Sequence, residues 1–205
     1  MDFSDSFGLK NSFYFKACIP EEKGATYKYN DPRVIKVIKN IEKRGHRIGF
    51  HPSENTALNE EQFCIEYNRL EEVSSGVRGG RQHHLLYHSD SFSTWDKCKL
   101  EYDSGYGFRY RNGFRCGTCY DFPLFDVFSR EKLCLREVPF TIMDSVFVRK
   151  QSSAYEMEEE AKRIVDIIKR YNGIFCTVWH TNMFNTVERR KYKEIYYKII
   201  RYAIK

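Results

Sequence analysis

The sequence has no apolar run of the roughly 18 residues needed to cross a bilayer, so no transmembrane helix and no membrane partner are expected. It does not open with the basic and apolar regions of a secretory leader. It has no internal repeat, no low-complexity stretch and no linker, so its 205 residues are expected to form a single domain spanning 1–205. Its seven cysteines are odd in number and lack the spacing of a disulfide framework, so a reduced, cytoplasmic setting is expected. Cys116-Gly117-Thr118-Cys119 is a lone CxxC without a second pair at zinc-ribbon spacing, so neither a zinc nor a dithiol site follows from it. No strong charge excess is present either: 34 Lys and Arg stand against 28 Asp and Glu, net +6, and the charges are dispersed. The densest basic stretch, Arg189-Arg190-Lys191 with Lys193, falls in a helical pattern and reads as a solvated face. Nucleic acid is therefore not expected as a partner.

What is present suits a globular core, with 41% apolar and 30% charged residues. Aromatics reach 16%, and tyrosine is common where sugars or proteins bind because the ring is apolar and the hydroxyl wet. Most of these rings should still be core.

Strand and helix patterns alternate along the chain. Asn11 to Cys18 reads as an aromatic strand. Pro32 opens a helix with Val34, Ile38 and Ile41 on one face, closed by Gly45. Arg47 to Phe50 is a short strand, and Asn59 with Gln62 starts a helix carrying Phe63, Tyr67 and Leu70. A helix from Ser91 to Leu100 and a strand from Glu101 to Asp103 follow. Residues 104–130 show no clear period and read as a long, functional loop. Leu133 to Met143 is strand broken near Pro139, and Ser152 or Ser153 caps a long helix closed by Asn172-Gly173. A strand from Ile174 to Trp179 and a helix from about Val187 complete the pattern. Such alternation predicts an α/β fold with a parallel sheet covered by helices, as an open sheet or a barrel.

In such folds reactive groups gather where strands end. His51, Asp103, Asp144 and His180 each follow a strand, and Arg81 and His83 follow the glycine-rich segment 76–80. Each alone would read as a cap or surface residue; together they point to a site. Histidines bind metals or move protons, and an arginine holds a carboxylate ionised. Metal, base and acid are what hydrolysis of an amide or ester requires.

At these residues the sequence resembles the polysaccharide deacetylase family, the NodB-homology or carbohydrate esterase 4-like group. Gly45-His46-Arg47-Ile48-Gly49-Phe50-His51-Pro52 is similar to a family segment whose final histidine binds a divalent metal. Arg81-Gln82-His83 resembles a variant of its arginine motif, Asp103 lies where an aspartate steadies that arginine, and Val178-Trp179-His180 resembles the motif of the general acid. Gly113 to Asp126 looks like a signature of a subgroup tied to surface polysaccharides.

The resemblance implies a (β/α) barrel and Arg81, Asp103 and His180 as catalytic residues. It implies His51 as a ligand of a divalent metal, zinc; His83 is the candidate to replace the missing second histidine ligand, and Asn55, Asp144 and Trp179 are the candidates for contact with a glycan substrate. The family's aspartate-bearing first motif, with the catalytic base, has no counterpart before Asn11, and Asp2 and Asp5 stand in another context. Asn55 occupies the place of a second metal-binding histidine. His46 lies at the opposite end of its strand from His51 and reads as a helix-end residue. The expected fold is thus an incomplete or distorted barrel lacking its first strand–helix unit, completed by a missing N-terminal segment or a partner chain, with weak or no activity. The alternative is a non-catalytic carbohydrate-binding or scaffold domain that uses the loop at 104–126.

Overall fold

The computed structural model describes residues 1–20, 26–88 and 91–205. These residues form two compact units. The first comprises residues 1–105 and 122–137, the second 106–121 and 138–205.

The first unit is built on a six-stranded sheet. Its strands are β1 (Ser12–Phe15), β2 (Arg47–Phe50), β3 (Gly79–Gly80), β4 (Tyr102–Asp103), β5 (Phe122–Asp126) and β6 (Glu131–Glu137). They lie in the order β1-β2-β3-β4-β6-β5, all parallel except the hairpin of β5 with β6.

Helices α1 (Asp2–Asp5), α2 (Pro32–Lys43), α3 (Glu60–Val73) and α4 (Ser91–Lys97) accompany it. Local chemistry places them. Asp31 accepts from the N–H of Arg33 and Pro32 sits in the first turn of α2, while Asn59 caps α3 by accepting from Gln62. Gly45 closes α2 at φ +72°, a conformation a side chain disfavours. The inward faces of α2 and α3 supply Ile38, Ile41, Phe63 and Leu70 to the core. Phe50 of β2 meets Phe63 at 5.1 Å, edge to face, and Phe63 meets Trp95 of α4 at 5.3 Å.

The second unit has a parallel pair, β7 (Ile142–Met143) and β8 (Thr177–Val178), with helices α5 (Asp144–Lys150), α6 (Ala154–Arg170) and α7 (Arg190–Ala203). Ser153 and Glu156 form a full capping box at the start of α6. Its end is an αL turn, with Asn172 at φ 51° and the Gly173 N–H returning to Ile168. Met157, Ala161, Ile164 and Ile168 of α6 pack with Ile195 and Ile199 of α7 and with Phe147 of α5.

The fold is mixed α/β with a mostly parallel sheet, as expected. The strands lie in two sheets and do not close into a barrel among the described residues. The segment read as a long, functional loop holds β5, with Leu124 and Asp126 buried and Phe125 exposed. Pro123 is tolerated within β5 because that strand lies at the edge of the sheet. No helix is long and apolar enough to cross a membrane among the described residues.

The tightest point of the first sheet is β3. A side chain at Gly80 would put its Cβ 2.0 Å from the carbonyl oxygen of Phe50, and one at Gly79 would meet the Tyr102 backbone oxygen at 2.4 Å. Backbone atoms on both sides cannot move aside as a side chain can. Gly80→Ala is therefore expected to cost about 3 kcal/mol or more, the upper range for overpacking, measured as a drop in the urea midpoint. A midpoint equal to wild type would show that β2 and β3 are not this close.

Candidate functional site

The residues at the strand ends fall into three groups. The first two belong to the first unit and the third to the second.

Lys16, His51 and His83 make a chain of hydrogen bonds whose direction is set from both ends. Lys16, just after β1, lies with Nζ 2.9 Å from His83 Nε2. His83 Nδ1 is 3.0 Å from His51 Nε2, and His51 Nδ1 is 2.6 Å from the carbonyl oxygen of Arg81. A carbonyl only accepts, so His51 carries its proton on Nδ1 and accepts at Nε2. The Lys16 ammonium only donates, so His83 accepts at Nε2 and donates from Nδ1. Both rings are then neutral. Burial pushes His51 down to about 3, and burial also lowers Lys16.

Glu54 stands beside this chain, in the turn Glu54–Thr56 after β2. Its Oε1 is 2.6 Å from Nδ1 of His84 and 3.9 Å from Nε2 of His83. Glu54, His83 and His84 offer donor atoms all within 4.8 Å of one another, a grouping that could hold a metal ion. The expected ligands His51 and His83 do come together, but ring to ring. Neither Glu54 nor His84 was singled out from the sequence, although His84 directly extends Arg81-Gln82-His83 and Glu54 precedes Asn55. Asn55 is exposed in the same turn. His46 lies at the far end of β2, buried, accepting from the Asn11 N–H and 3.2 Å from Asp5. Asp2 and Asp5 are bound there by Arg44, away from His51.

Arg81 and Asp103 form the second group. Arg81 follows β3; its Nε donates to the Ser104 carbonyl and its Nη2 to Ser104 Oγ at 3.0 Å, with its guanidinium 4.8 Å over the Tyr14 ring. Asp103 ends β4 and is fully buried. Its oxygens lie 3.0 and 2.9 Å from the Tyr87 hydroxyl, and Oδ2 accepts from the Gly105 N–H at 2.9 Å. The β4–β6 register pairs Asp103 with Glu137, equally buried, and the two carboxyls are hydrogen-bonded. Burial pushes Asp103 above the ordinary carboxylate range, against the pull of Glu137, Tyr87 and the Arg81 charge. The sequence announces neither Glu137 nor Tyr87; only the strand register brings them in.

Asp144 and His180 form the third group. The β7–β8 register pairs Met143 with Val178, so Asp144 arrives beside the chain leaving β8. Its two oxygens lie 2.6 Å from the His180 N–H and 2.6 Å from His180 Nδ1. The carboxylate is fully buried while the histidine side chain is 52% exposed. Asp144, expected toward substrate, thus has both oxygens on His180 and no surface to offer. An imidazole with Nδ1 donated to a carboxylate presents Nε2 outward, the arrangement of a general acid or base. Trp179, also expected toward substrate, is partly buried against the core of its unit, 5.3 Å from the Tyr196 ring.

No family model matches the sequence, and no curated protein matches it. Among solved structures, the fold is similar to that of a Mycobacterium smegmatis protein assigned as a polysaccharide deacetylase. The identity is 16%, covering 97% of this chain and 68% of that one, at a TM-score of 0.67. A Bordetella bronchiseptica protein assigned as a polysaccharide deacetylase involved in O-antigen biosynthesis is 18% identical. It covers 74% of this chain and 54% of that one, with a TM-score of 0.49. The first likeness shows a polysaccharide-deacetylase-like fold.

The raised Asp103 has a consequence for stability. Above the ordinary carboxylate value the unfolded chain has lost a proton that the folded protein keeps, so this contribution is full at lower pH and falls as pH rises through the window. Asp103→Asn, which stays neutral, is expected to flatten that fall when the urea midpoint is followed across about pH 3 to 8. An unchanged slope would place the titrating proton on another group.

Proposed function

We propose that this chain is a polysaccharide-deacetylase-like domain whose chemistry is metal-dependent hydrolysis of acetyl groups on a glycan, at weak activity. The observation that carries the reading is the buried Asp144 behind a half-exposed His180, on a fold similar to that of an assigned polysaccharide deacetylase.

Taken unit by unit, the groups have chemistry of the kind such a reaction uses. Asp144 holds His180 by two charge-assisted hydrogen bonds, so Nε2 is kept outward to give a proton to the leaving amine or alcohol. We assign Asp144 to orienting His180 rather than to substrate. Arg81 supplies a fixed positive charge, anchored on Ser104, toward an acidic group or developing oxyanion. Asp103 and Glu137 form the polar floor behind it, and we assign the exposed Asn55 to a sugar hydroxyl. His83, neutral in this arrangement and held by His51, is in the protonation state that metal ligation needs. With imidazole and carboxylate donors available, zinc suits this edge. Such an ion supplies Lewis acidity toward an acyl carbonyl. A cytoplasmic, reducing setting belongs to the same proposal, in keeping with the seven free cysteines.

The test is acetate release from acetylated amino-sugar oligomers with added zinc or cobalt. His180→Ala is expected to lower the rate by about 10²- to 10⁴-fold, the usual contribution of a positioned acid or base. His51→Ala is expected to lower it as well. Equal rates in wild type and both variants would sink the assignment. Oligomer binding without acetate release would instead identify a non-catalytic carbohydrate-binding domain.

A further inference from the structure

The turns after β2 and β3 bring together a carboxylate and two imidazoles from separate segments. We propose that Glu54, His83 and His84 are the ligands of a divalent transition metal ion, with zinc the best match. In this arrangement His51 is not a ligand but holds His83 from behind. The inference rests on the reading above only for what the ion does; the site itself is read from geometry.

Four observations support it. The first is spacing: Glu54 Oε1 lies 2.6 Å from His84 Nδ1 and 3.9 Å from His83 Nε2. These values bracket the roughly 3.4 Å between neighbouring ligands on a tetrahedral zinc with bonds near 2.1 Å. All three donor atoms lie within 4.8 Å of one another.

The second is tautomer. Metal-binding histidines almost always donate their other ring N–H to a fixed acceptor. His83 donates Nδ1–H to His51, which is itself fixed by the Arg81 carbonyl, leaving the Nε2 lone pair on the Glu54 side.

The third is that a cation is drawn there already. The Lys16 ammonium sits 2.9 Å from His83 Nε2, on the atom a metal would take. A divalent ion would displace it, so Lys16 competes with the metal.

The fourth is backbone geometry. His84 and Leu85 both hold positive φ, 55° and 54°, in the left-handed region that side chains disfavour. That conformation stacks the His84 ring on that of His83 at 3.9 Å and puts its Nδ1 on Glu54. The side chains of Glu54 and His84 are 47% and 51% exposed, so an ion and a further ligand can reach them.

An ordinary Glu54–His84 hydrogen bond would give the same contact without an ion, and metal binding separates the two. Zinc binding by calorimetry and the visible spectrum of the cobalt-loaded chain would be measured on the whole protein. The expected result is one ion per chain. Glu54→Gln and His84→Ala should each weaken it by at least about tenfold, and Lys16→Met should tighten it. Both weakening substitutions are at half-exposed side chains, and circular dichroism of the metal-free variants checks that they fold. The absence of stoichiometric binding in both wild type and Lys16→Met would overturn the site. So would affinity unchanged by Glu54→Gln and His84→Ala but lost in His51→Ala, which would put the ion on His51. The predicted binding pattern without acetate release supports the metal site and removes the hydrolase reading, so the two fail separately.

Discussion

The contact on which the first unit depends is the passage of Phe50 beside Gly80. At that point two backbones meet so closely that no side chain can stand between them. His51 begins where β2 leaves this contact, Arg81 where β3 leaves it, and Asp103 pairs with Gly80 on the next strand. Each parallel ladder thus delivers one polar side chain at the same end of the sheet. A register slip of one residue at β3 would turn Arg81 to the other face. The short strands make this sharper: β3 and β4 contribute two residues each, so the glycines rather than extended pairing define the alignment.

The same end of the sheet shows how a few donors and acceptors can order several side chains. Arg81 serves twice, with its carbonyl accepting from His51 and its guanidinium anchored on Ser104. Because one end of the histidine chain can only accept and the other can only donate, the ring protons have one consistent arrangement. Charging His51 would turn an acceptor into a donor facing another donor. Burial disfavours that charge as well, so hydrogen bonding and desolvation act in the same direction.

Much of this architecture is legible in the sequence, and the part that is not has a common cause. Helices α2, α3 and α6 announce their own starts through Asp31-Pro32, Asn59 and Ser153, since capping is a matter of three or four neighbouring residues. The opposite placement of His46 and His51 follows from their positions at the two ends of one strand. What could not be read is pairing across distance. Glu137 meets Asp103 because β6 skips past β5 to join β4, and Lys16 meets His83 because β1 runs beside β2. Neither contact leaves a local trace. The edge strand β5 is an intermediate case, since its alternation covers five residues inside a longer stretch that shows no clear period.

Asp144 shows why residue type and strand-end position do not settle a role. From the sequence it is one of several polar residues following a strand, equivalent to His51 or Asp103. In the structure it is a fully buried carboxylate whose two oxygens both go to one residue. A buried ion without partners would be strongly disfavoured, whereas one accepting two hydrogen bonds from a single residue fixes that residue's backbone and ring together. Removing the carboxylate would therefore release the direction in which His180 points, without removing any group that faces outward. A positioning residue of this kind acts through the imidazole it holds, and its effect on a reaction is bounded by what that imidazole does.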